Sequence, residues 1–276
     1  MCLIGIALDA HPHFALVVAA NRDEFFDRPA APLDWWRTAD HAPWLLGGRD
    51  LAAGGTWFGL SASGRIGMLT NVRDPARHRA DAASRGALVT DWLDRGAWPV
   101  APHATNPFNL IGGDLHARRW WWTSDRHAAP APLAGGVHAL SNGTLDEPWP
   151  KVRHLSSQLR RTLDDVTHDD DTLVERLFAL LADDQPAPDH ALPDTGVGLD
   201  RERRLSPAFI RWPEARYGTR CSTVVLGRVE GAGRWSVQVH ERTHGDDGRA
   251  AAHRRVALDD WPHDIARAPV VERALS

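Results

Sequence analysis

Hydrophobic and polar positions alternate along the chain with the period of β-strands in some segments and of helices in others. CLIGIALD (2–9) and FALVVAANRDEF (14–25) are largely apolar and flank DAHPH, which holds the turn formers Asp9 and Pro12. GGTWFGLS and GRIGMLTNV flank the turn Ala62-Ser63-Gly64. These patterns predict two hairpins, and TRCSTVVLGRV (219–229) with RWSVQVHERT (234–243) predicts a third.

Helical spacing separates these hairpins. SRGALVTDWLDRG (84–96) has an apolar stripe, with Ser84 as a candidate N-cap and Gly96 as a stop. Two further helices are predicted between about 148 and 181, whereas FNLIGGDL, RRWWWTS and GVHALSNG have strand patterns and 183–194 is a Pro/Asp-rich loop. Antiparallel hairpins separated by helices favour an α+β fold, in which sheets are covered by helices. The 276 residues are expected to form a single domain, 1–276.

Composition excludes several classes of function. A formal net charge of −4 gives no electrostatic case for nucleic-acid binding. No apolar run approaches the roughly 18 residues that a membrane span requires, and the first residues lack the basic region of a signal peptide. The two cysteines, Cys2 and Cys221, form no disulfide framework or metal-binding motif. We therefore expect a soluble, cytoplasmic protein with no bound metal or cofactor.

The second strand ends in four strongly polar residues, Asn21 to Glu24. Because side chains alternate along a strand, Asn21 and Asp23 share one face and Arg22 and Glu24 the other. Pairing through a turn near 10–13 places Cys2 opposite residues 20–23. The polar group is therefore expected to face the start of the chain.

Cys2 has two interpretations. It is either a small buried hydrophobic residue at the start of a strand, or a nucleophile once Met1 has been removed. In the second case its α-amine, with a pKa of about 8, takes the proton of its own thiol. Such a site needs a carboxylate or amide to hold the amine, a cation to favour the thiolate, and donors for an oxyanion.

Eight sequence blocks resemble one known family, the NRDE family, also called the transport and Golgi organisation protein 2 family. The blocks, in order, are MCLI, AANRDEFFDRP, GGTWFGLS with LTNVRDP, SRGALV, FNLIGGDL, ALSNGTLDEPWPK, YGTRCSTVVL and HERT. The resemblance covers nearly the whole chain and implies an N-terminal nucleophile hydrolase-like fold. That fold has four layers, αββα, with two stacked, mostly antiparallel sheets between helices.

The resemblance also implies roles for individual residues, because Cys-type members of the superfamily similar to bile-salt hydrolases cleave amide bonds. Cys2 is the expected nucleophile and base. The remaining expected residues are Arg22 and Asp23 beside Cys2, Asn71 as oxyanion donor, Asn142 as a second polar contact, Arg220 as a positive charge, and Asn21 and Trp57 in the ligand pocket. Since Arg22 and Asp23 are adjacent, unlike their counterparts in the bile-salt enzymes, Asn21 is an alternative to Asp23.

Two functions are compatible with such a pocket. One is a Cys-dependent amidohydrolase acting on a non-peptide or acyl amide. The other is non-catalytic binding and trafficking of haem, a lipid or an acyl-CoA, to which members of the family have been linked. The expected partner is accordingly a small-molecule amide, haem or a lipid-like ligand, with haem as a ligand rather than a cofactor.

Overall fold

The computed structural model describes residues 2–99, 104–127, 129–165, 169–231, 233–263, 265, 268 and 270–274. Most of its longer elements form where the apolar pattern predicts them. In chain order the elements are β1 (Cys2–Leu8), β2 (Leu16–Phe25), β3 (Ala30–Trp36), β4 (Leu45–Asp50), β5 (Phe58–Ser61), β6 (Arg65–Asn71), α1 (Gly86–Arg95), β7 (Phe108–Asp114), β8 (Arg119–Ser124), β9 (Ala131–Pro132), β10 (Gly136–Leu140), α2 (Pro150–Asp165), α3 (Asp170–Leu181), α4 (Leu199–Arg204), β11 (Arg211–Trp212), β12 (Tyr217–Gly231), β13 (Arg234–His244), β14 (Ala250–Trp261) and β15 (Glu272–Ala274).

The strands form two antiparallel sheets. Sheet A has the order β10-β1-β2-β12-β13-β14-β15, with β11 beside β12, and sheet B has the order β3-β4-β5-β6-β7-β8-β9. The three predicted hairpins, β1–β2, β5–β6 and β12–β13, are confirmed. The turn between β5 and β6 uses Gly64 at φ +83°, a conformation that glycine adopts at little cost.

The two sheets face each other across a shared apolar core. Ile4 and Ile6 of sheet A and Ile66 and Met68 of sheet B belong to this core, and each is almost fully buried. Helix α1 covers the outer face of sheet B through Val89 and other apolar residues. Helices α2 and α3 cover the outer face of sheet A. The layers are therefore helix, sheet, sheet, helix, and the expected αββα arrangement is confirmed.

The helices predicted at 84–96 and between 148 and 181 are also confirmed, with α1 ending at Gly96 in a left-handed conformation (φ +65°). Strands β3, β4 and β14 and helix α4 were not predicted. In β3, Pro32 and paired tryptophans interrupt the alternation, and much of β14 is exposed. Their pairing partners, rather than their own pattern, determine these strands. None of the described helices is long and apolar enough to cross a membrane.

Candidate functional site

Cys2 lies in a row of three residues on the inner face of sheet A. Cys2 pairs with Arg22 of β2, and Arg22 pairs with Cys221 of β12. Directly opposed residues of neighbouring strands point to the same face, and the inner core residues Ile4 and Ala20 share that face. The predicted placement of Cys2 opposite residues 20–23 is thus confirmed.

The Cys2 thiol is largely shielded from solvent, with 8% of the residue exposed. Burial, and after it the charge of Asp23, raise the pKa of the thiol, while the charge of Arg22 and a hydrogen bond from the backbone N–H of Asp23 oppose that rise. Next to the thiol lies a cavity of about 10 Å³, lined by Arg22, Trp57 and others, which is at the lower limit for one water molecule. The space next to the thiol therefore holds no more than a single water molecule in this structure.

Arg22 is 5% exposed and stacks on Trp57, with its guanidinium carbon 4.1 Å from the ring centroid. Among the residues that the structure describes, Arg22 forms neither a hydrogen bond nor an ion pair. Trp57 directly precedes β5 of sheet B and lies against Gly48, where a Cβ atom would be 2.3 Å from the indole ring. The predicted pocket residue Trp57 thus lies beside Cys2 and holds the cation of the site.

Asp23 lies on the opposite face of the strand from Cys2, toward the helices. Its Oδ1 accepts a hydrogen bond from Thr219 (2.7 Å), and the residue is 1% exposed. Burial raises the pKa of Asp23, and the charge of Lys151 is the largest effect opposing that rise. Burial likewise lowers the pKa of Lys151 to about 8, opposed by Asp23. The two groups stabilise each other's charge, and Lys151 also donates to the Leu205 carbonyl (2.9 Å).

Two other predicted residues bind backbone carbonyl groups away from the thiol. The Asn21 amide donates to Leu181 (2.8 Å) and Ala208 (2.9 Å), because strand alternation directs it to the helical side. Arg220 donates to the carbonyl of Phe25 (3.0 Å) and to that of the following residue (2.9 Å). The structure therefore does not bring these two side chains to Cys2, and both hold neighbouring segments in place.

The two predicted asparagines meet at the edge of the sheets but are used differently. The Asn142 amide donates to the backbone carbonyl of Asn71 (2.8 Å), and its oxygen accepts from Arg73 (3.4 Å) and Ser141 (3.3 Å). The Asn142 carbonyl also accepts from the Arg73 backbone (2.7 Å). The Asn71 side chain, half-buried, makes no hydrogen bond with any residue in the described part of the chain. Asn142 thus fixes the segment that presents Asn71.

The structure adds further charged residues to this region. Arg85 precedes α1, and its guanidinium interacts electrostatically with Cys2, Glu24 and Arg28. Arg73 is buried against Trp149 and forms an ion pair with Glu202. Together with Lys151, these residues bring three further basic side chains to the area around Cys2, of which Arg73 is neutralised by Glu202.

Residues 1–246 match the family model described as "Transport and Golgi organisation 2". The chain belongs to this family. Transport and Golgi organization protein 2 homolog of Bos taurus is 32% identical over 260 residues, which cover 84% of this chain and 90% of that protein. Transport and Golgi organization protein 2 of Drosophila melanogaster is 36% identical over 262 residues, covering 82% and 87%. The resemblance drawn from the eight sequence blocks is therefore confirmed.

A solved structure, the Caenorhabditis elegans N-acylethanolamine-hydrolyzing acid amidase ortholog, is also similar to this member of the Transport and Golgi organisation 2 family. The two share 12% sequence identity with a TM-score of 0.42, covering 81% of this chain and 92% of the other. A similarity at this level carries no information about substrate.

Arg73, Arg85 and Lys151 all lie within the blocks that resemble the Transport and Golgi organisation 2 family, yet no role was predicted for them. One signal was available for Lys151, because it is the only lysine among 32 basic residues of the chain. For the two arginines the chain offers no such signal, since their positions depend on how the loop before α1 and the end of β6 fold back on sheet A.

Proposed function

We propose that the chain is a Cys-dependent N-terminal nucleophile amidohydrolase that acts on a small acyl amide. The observation that carries the proposal is the surroundings of the Cys2 thiol. A backbone N–H of Asp23 points at the sulfur, and Arg22 lies directly across the strand pair. Both groups stabilise a thiolate, which is the nucleophilic form of cysteine.

The mechanism begins with removal of Met1, which makes the α-amine of Cys2 available as a base. The neutral amine takes the thiol proton, and the thiolate attacks the carbonyl carbon of the amide. Asn71, whose amide is not otherwise engaged within the described chain, donates to the resulting oxyanion. The ammonium then protonates the leaving amine, and a thioester with Cys2 remains.

Hydrolysis of the thioester completes the cycle. The α-amine, again neutral, takes a proton from water, whose oxygen attacks the thioester carbonyl. Collapse of the second oxyanion releases the carboxylic acid and returns the thiol of Cys2. Asp23, in whose case Lys151 and Thr219 oppose the rise in pKa that burial causes, stabilises in its ionised form the ammonium that forms in each half of the cycle.

A non-catalytic role in binding haem or a lipid-like ligand is the second candidate. It is favoured by a groove of about 1,110 Å³ over the start of α2, which Cys2 does not line. The groove wall includes Pro148, Pro188 and Pro207 as well as Lys151. Its volume suits a ligand of considerable size.

The deciding experiment compares the mature protein with a variant that has one extra Gly before Cys2. This variant retains every side chain of the mature protein, but the α-amine of Cys2 becomes an amide nitrogen with no basic lone pair. Turnover of an amide panel should fall about 100- to 10,000-fold, the usual contribution of a general base. Cys2→Ala is the matched control for loss of the thiol, and intact mass establishes that Met1 is absent.

Equal turnover by the extended and mature proteins would rule out the amine as base. Haem and acyl-chain affinity are measured on the same three proteins. Tight binding that survives both changes, without turnover of any amide, would favour the second candidate over the first.

A further inference from the structure

Two arginines beside Cys2 form no ion pair in the described part of the chain. Arg22 is 5% exposed, stacks on Trp57 and forms no ion pair there. Arg85 is partly buried, and the only hydrogen bond of its side chain with a described residue is one of 3.3 Å to the Pro107 carbonyl. Removing a cation from water without compensation is costly, so two such cations at one site indicate that a ligand supplies the compensating charge.

Backbone packing places Arg85 at the site. A Cβ atom on Gly55 would lie 2.4 Å from the carbonyl carbon of Gly86, so the two chain segments are in direct contact. Gly55 is two residues before Trp57, on which Arg22 stacks, and Gly86 directly follows Arg85. The segment that carries Arg85 is therefore packed beside Trp57, and the charge of Arg85 interacts with Cys2, whereas Arg22 belongs to sheet A.

The nearby carboxylates interact with the two arginines only electrostatically, because their oxygens are engaged with other groups. Glu241 interacts with Arg22 and accepts from the Leu33 backbone (2.6 Å), and Glu24 interacts with Arg85. Glu24 accepts from the Phe25 backbone (2.9 Å) and lies 3.8 Å from Arg28, which is itself paired with Asp50 at 2.7 Å. Asp23 lies on the other face of its strand, with Thr219 and Lys151. In the described part of the chain, neither Arg22 nor Arg85 thus forms an ion pair with any of these carboxylates.

We propose that Arg85 and Arg22 form a subsite for an oxyanion, a carboxylate or a phosphate, on the ligand that binds at Cys2. Guanidinium groups match both oxyanions through paired N–H donors. The inference rests on the proposed function only in treating that ligand as the substrate. Under that function, the substrate is an amide whose amine or acyl part carries the anionic group close to the scissile bond, and Arg85 determines specificity.

The first experiment needs no turnover. Iodoacetate and iodoacetamide have nearly the same shape, but only the first is anionic, and both alkylate a thiolate with release of iodide. The ratio of their rates at Cys2, read by peptide mass, should exceed the ratio for a small neutral thiol by about 10-fold or more, because a positive site concentrates anions.

Arg85→Gln should lower this ratio about 10-fold, and Arg85→Lys should retain part of it. Arg95→Gln is the matched control, because Arg95 is an exposed arginine on α1, paired with Asp91, and its loss should leave the ratio unchanged. A wild-type ratio equal to that of the free thiol overturns the inference even if Arg85→Gln fails to fold. Failure of both reagents to reach Cys2 also overturns it.

The second experiment distinguishes the two oxyanions and separates this inference from the proposed function. Three amides with one acyl chain are compared: hexanoylglycine, its neutral methylamide, and hexanoyl-aminomethylphosphonate. Faster turnover of one anionic amide than of the neutral amide, with this difference lost in Arg85→Gln, supports the subsite and identifies which anion it binds. Equal turnover of the three amides overturns the subsite but still supports the proposed amidohydrolase activity. Tighter binding of an anionic amide, without turnover, supports the subsite and counts against the hydrolase.

Discussion

Asn71 and Asn142 are both asparagines at the same edge of the sheets, but their side-chain amides differ in their hydrogen bonding. Asn142 is fully buried and binds the backbone carbonyl of Asn71, so its amide is part of the structure. Asn71 is half-buried, and its side chain remains available to a ligand. At the scale of single residues, a matched pair of substitutions can therefore separate support from chemistry.

We expect Asn71→Ala to lower amide turnover about 100- to 1,000-fold, as loss of an oxyanion donor does elsewhere, with little change in the free energy of unfolding. Asn142→Ala should lower that free energy by about 1–3 kcal/mol, because buried partners lose their hydrogen bonds. Urea unfolding and turnover, measured on both variants, check the pair. A folded, fully active Asn71→Ala protein would contradict the role of Asn71.

Lys151 permits a second prediction at this scale. Its charge opposes the rise in the pKa of Asp23 that burial causes, so Lys151→Met should raise this pKa further. Asp23 then loses its charge at a higher pH, and the acid limb of the pH–activity profile should move upward. Lys151→Arg, which keeps the charge, is the control. A uniform loss of activity with an unmoved profile would show that Lys151 acts only as a structural residue.

The residues of the site could be predicted from sequence only where a strand determines their neighbours. Cys2 opposite Arg22 follows from one hairpin and the period of two, and it is confirmed. Arg85 could not be found in this way, because its position depends on contact between Gly55 and Gly86 in different elements. Asn21 and Arg220 carry suitable chemistry but point to backbone carbonyls.

At the scale of elements, Gly48 of β4 permits the Trp57 ring to lie against the strand. A Cβ atom there would be 2.3 Å from the ring and 3.2 Å from the Ala31 carbonyl. The ring is the far end of a side chain and can move, whereas the backbone of Ala31 cannot move easily. A methyl group at position 48 should therefore displace the ring from Arg22.

We accordingly expect Gly48→Ala to keep the fold, to change tryptophan fluorescence slightly and to speed alkylation of Cys2 several-fold. Trp57→Ala, which removes the ring, should have the same effect on alkylation to a larger extent. Unchanged alkylation in both variants would show that the ring does not cover the thiol. Peptide mass after timed exposure to iodoacetamide provides the measurement.

Strand β13 carries a buried histidine whose protonation affects stability. Burial lowers the pKa of His240 to about 4, and its Nδ1 lies 3.3 Å from Nε2 of His253. The unfolded chain, with a His pKa of about 6.5, binds a proton between these values that the folded chain does not. Stability is therefore fully present above pH 6.5 and is lost as the pH falls toward 4.

His240→Gln should reduce this loss by up to about 3 kcal/mol at pH 4.5. His41, an exposed histidine, supplies the control variant His41→Gln. Urea unfolding at several pH values between 7 and 4.5 checks the prediction. Equal pH dependence of His240→Gln and the parent protein would contradict it.

At the scale of the whole molecule, the site exists because two sheets are stacked. Sheet A supplies Cys2 and Arg22, sheet B supplies Asn71, and the segments outside the sheets supply Trp57, Arg85 and Lys151. Sheets covered by helices could be predicted from the order of hairpins and helices, whereas the stacking of two sheets was implied only by the resemblance to the family. The closeness of residues from different layers could not, because packing between layers leaves no period in the sequence.

The row Cys2–Arg22–Cys221 also bears on redox chemistry. Two strand spacings separate the cysteines, so their Cα atoms are roughly 10 Å apart, beyond the 7 Å limit for a disulfide. They are the only cysteines in the chain. A Cys2 thiolate oxidised to sulfenic acid therefore has no resolving thiol within reach, and further oxidation is irreversible. Peroxide should produce sulfinic acid at Cys2 rather than an internal disulfide. Glutathione, added with the peroxide, should prevent this irreversible oxidation of Cys2 by forming a reducible mixed disulfide.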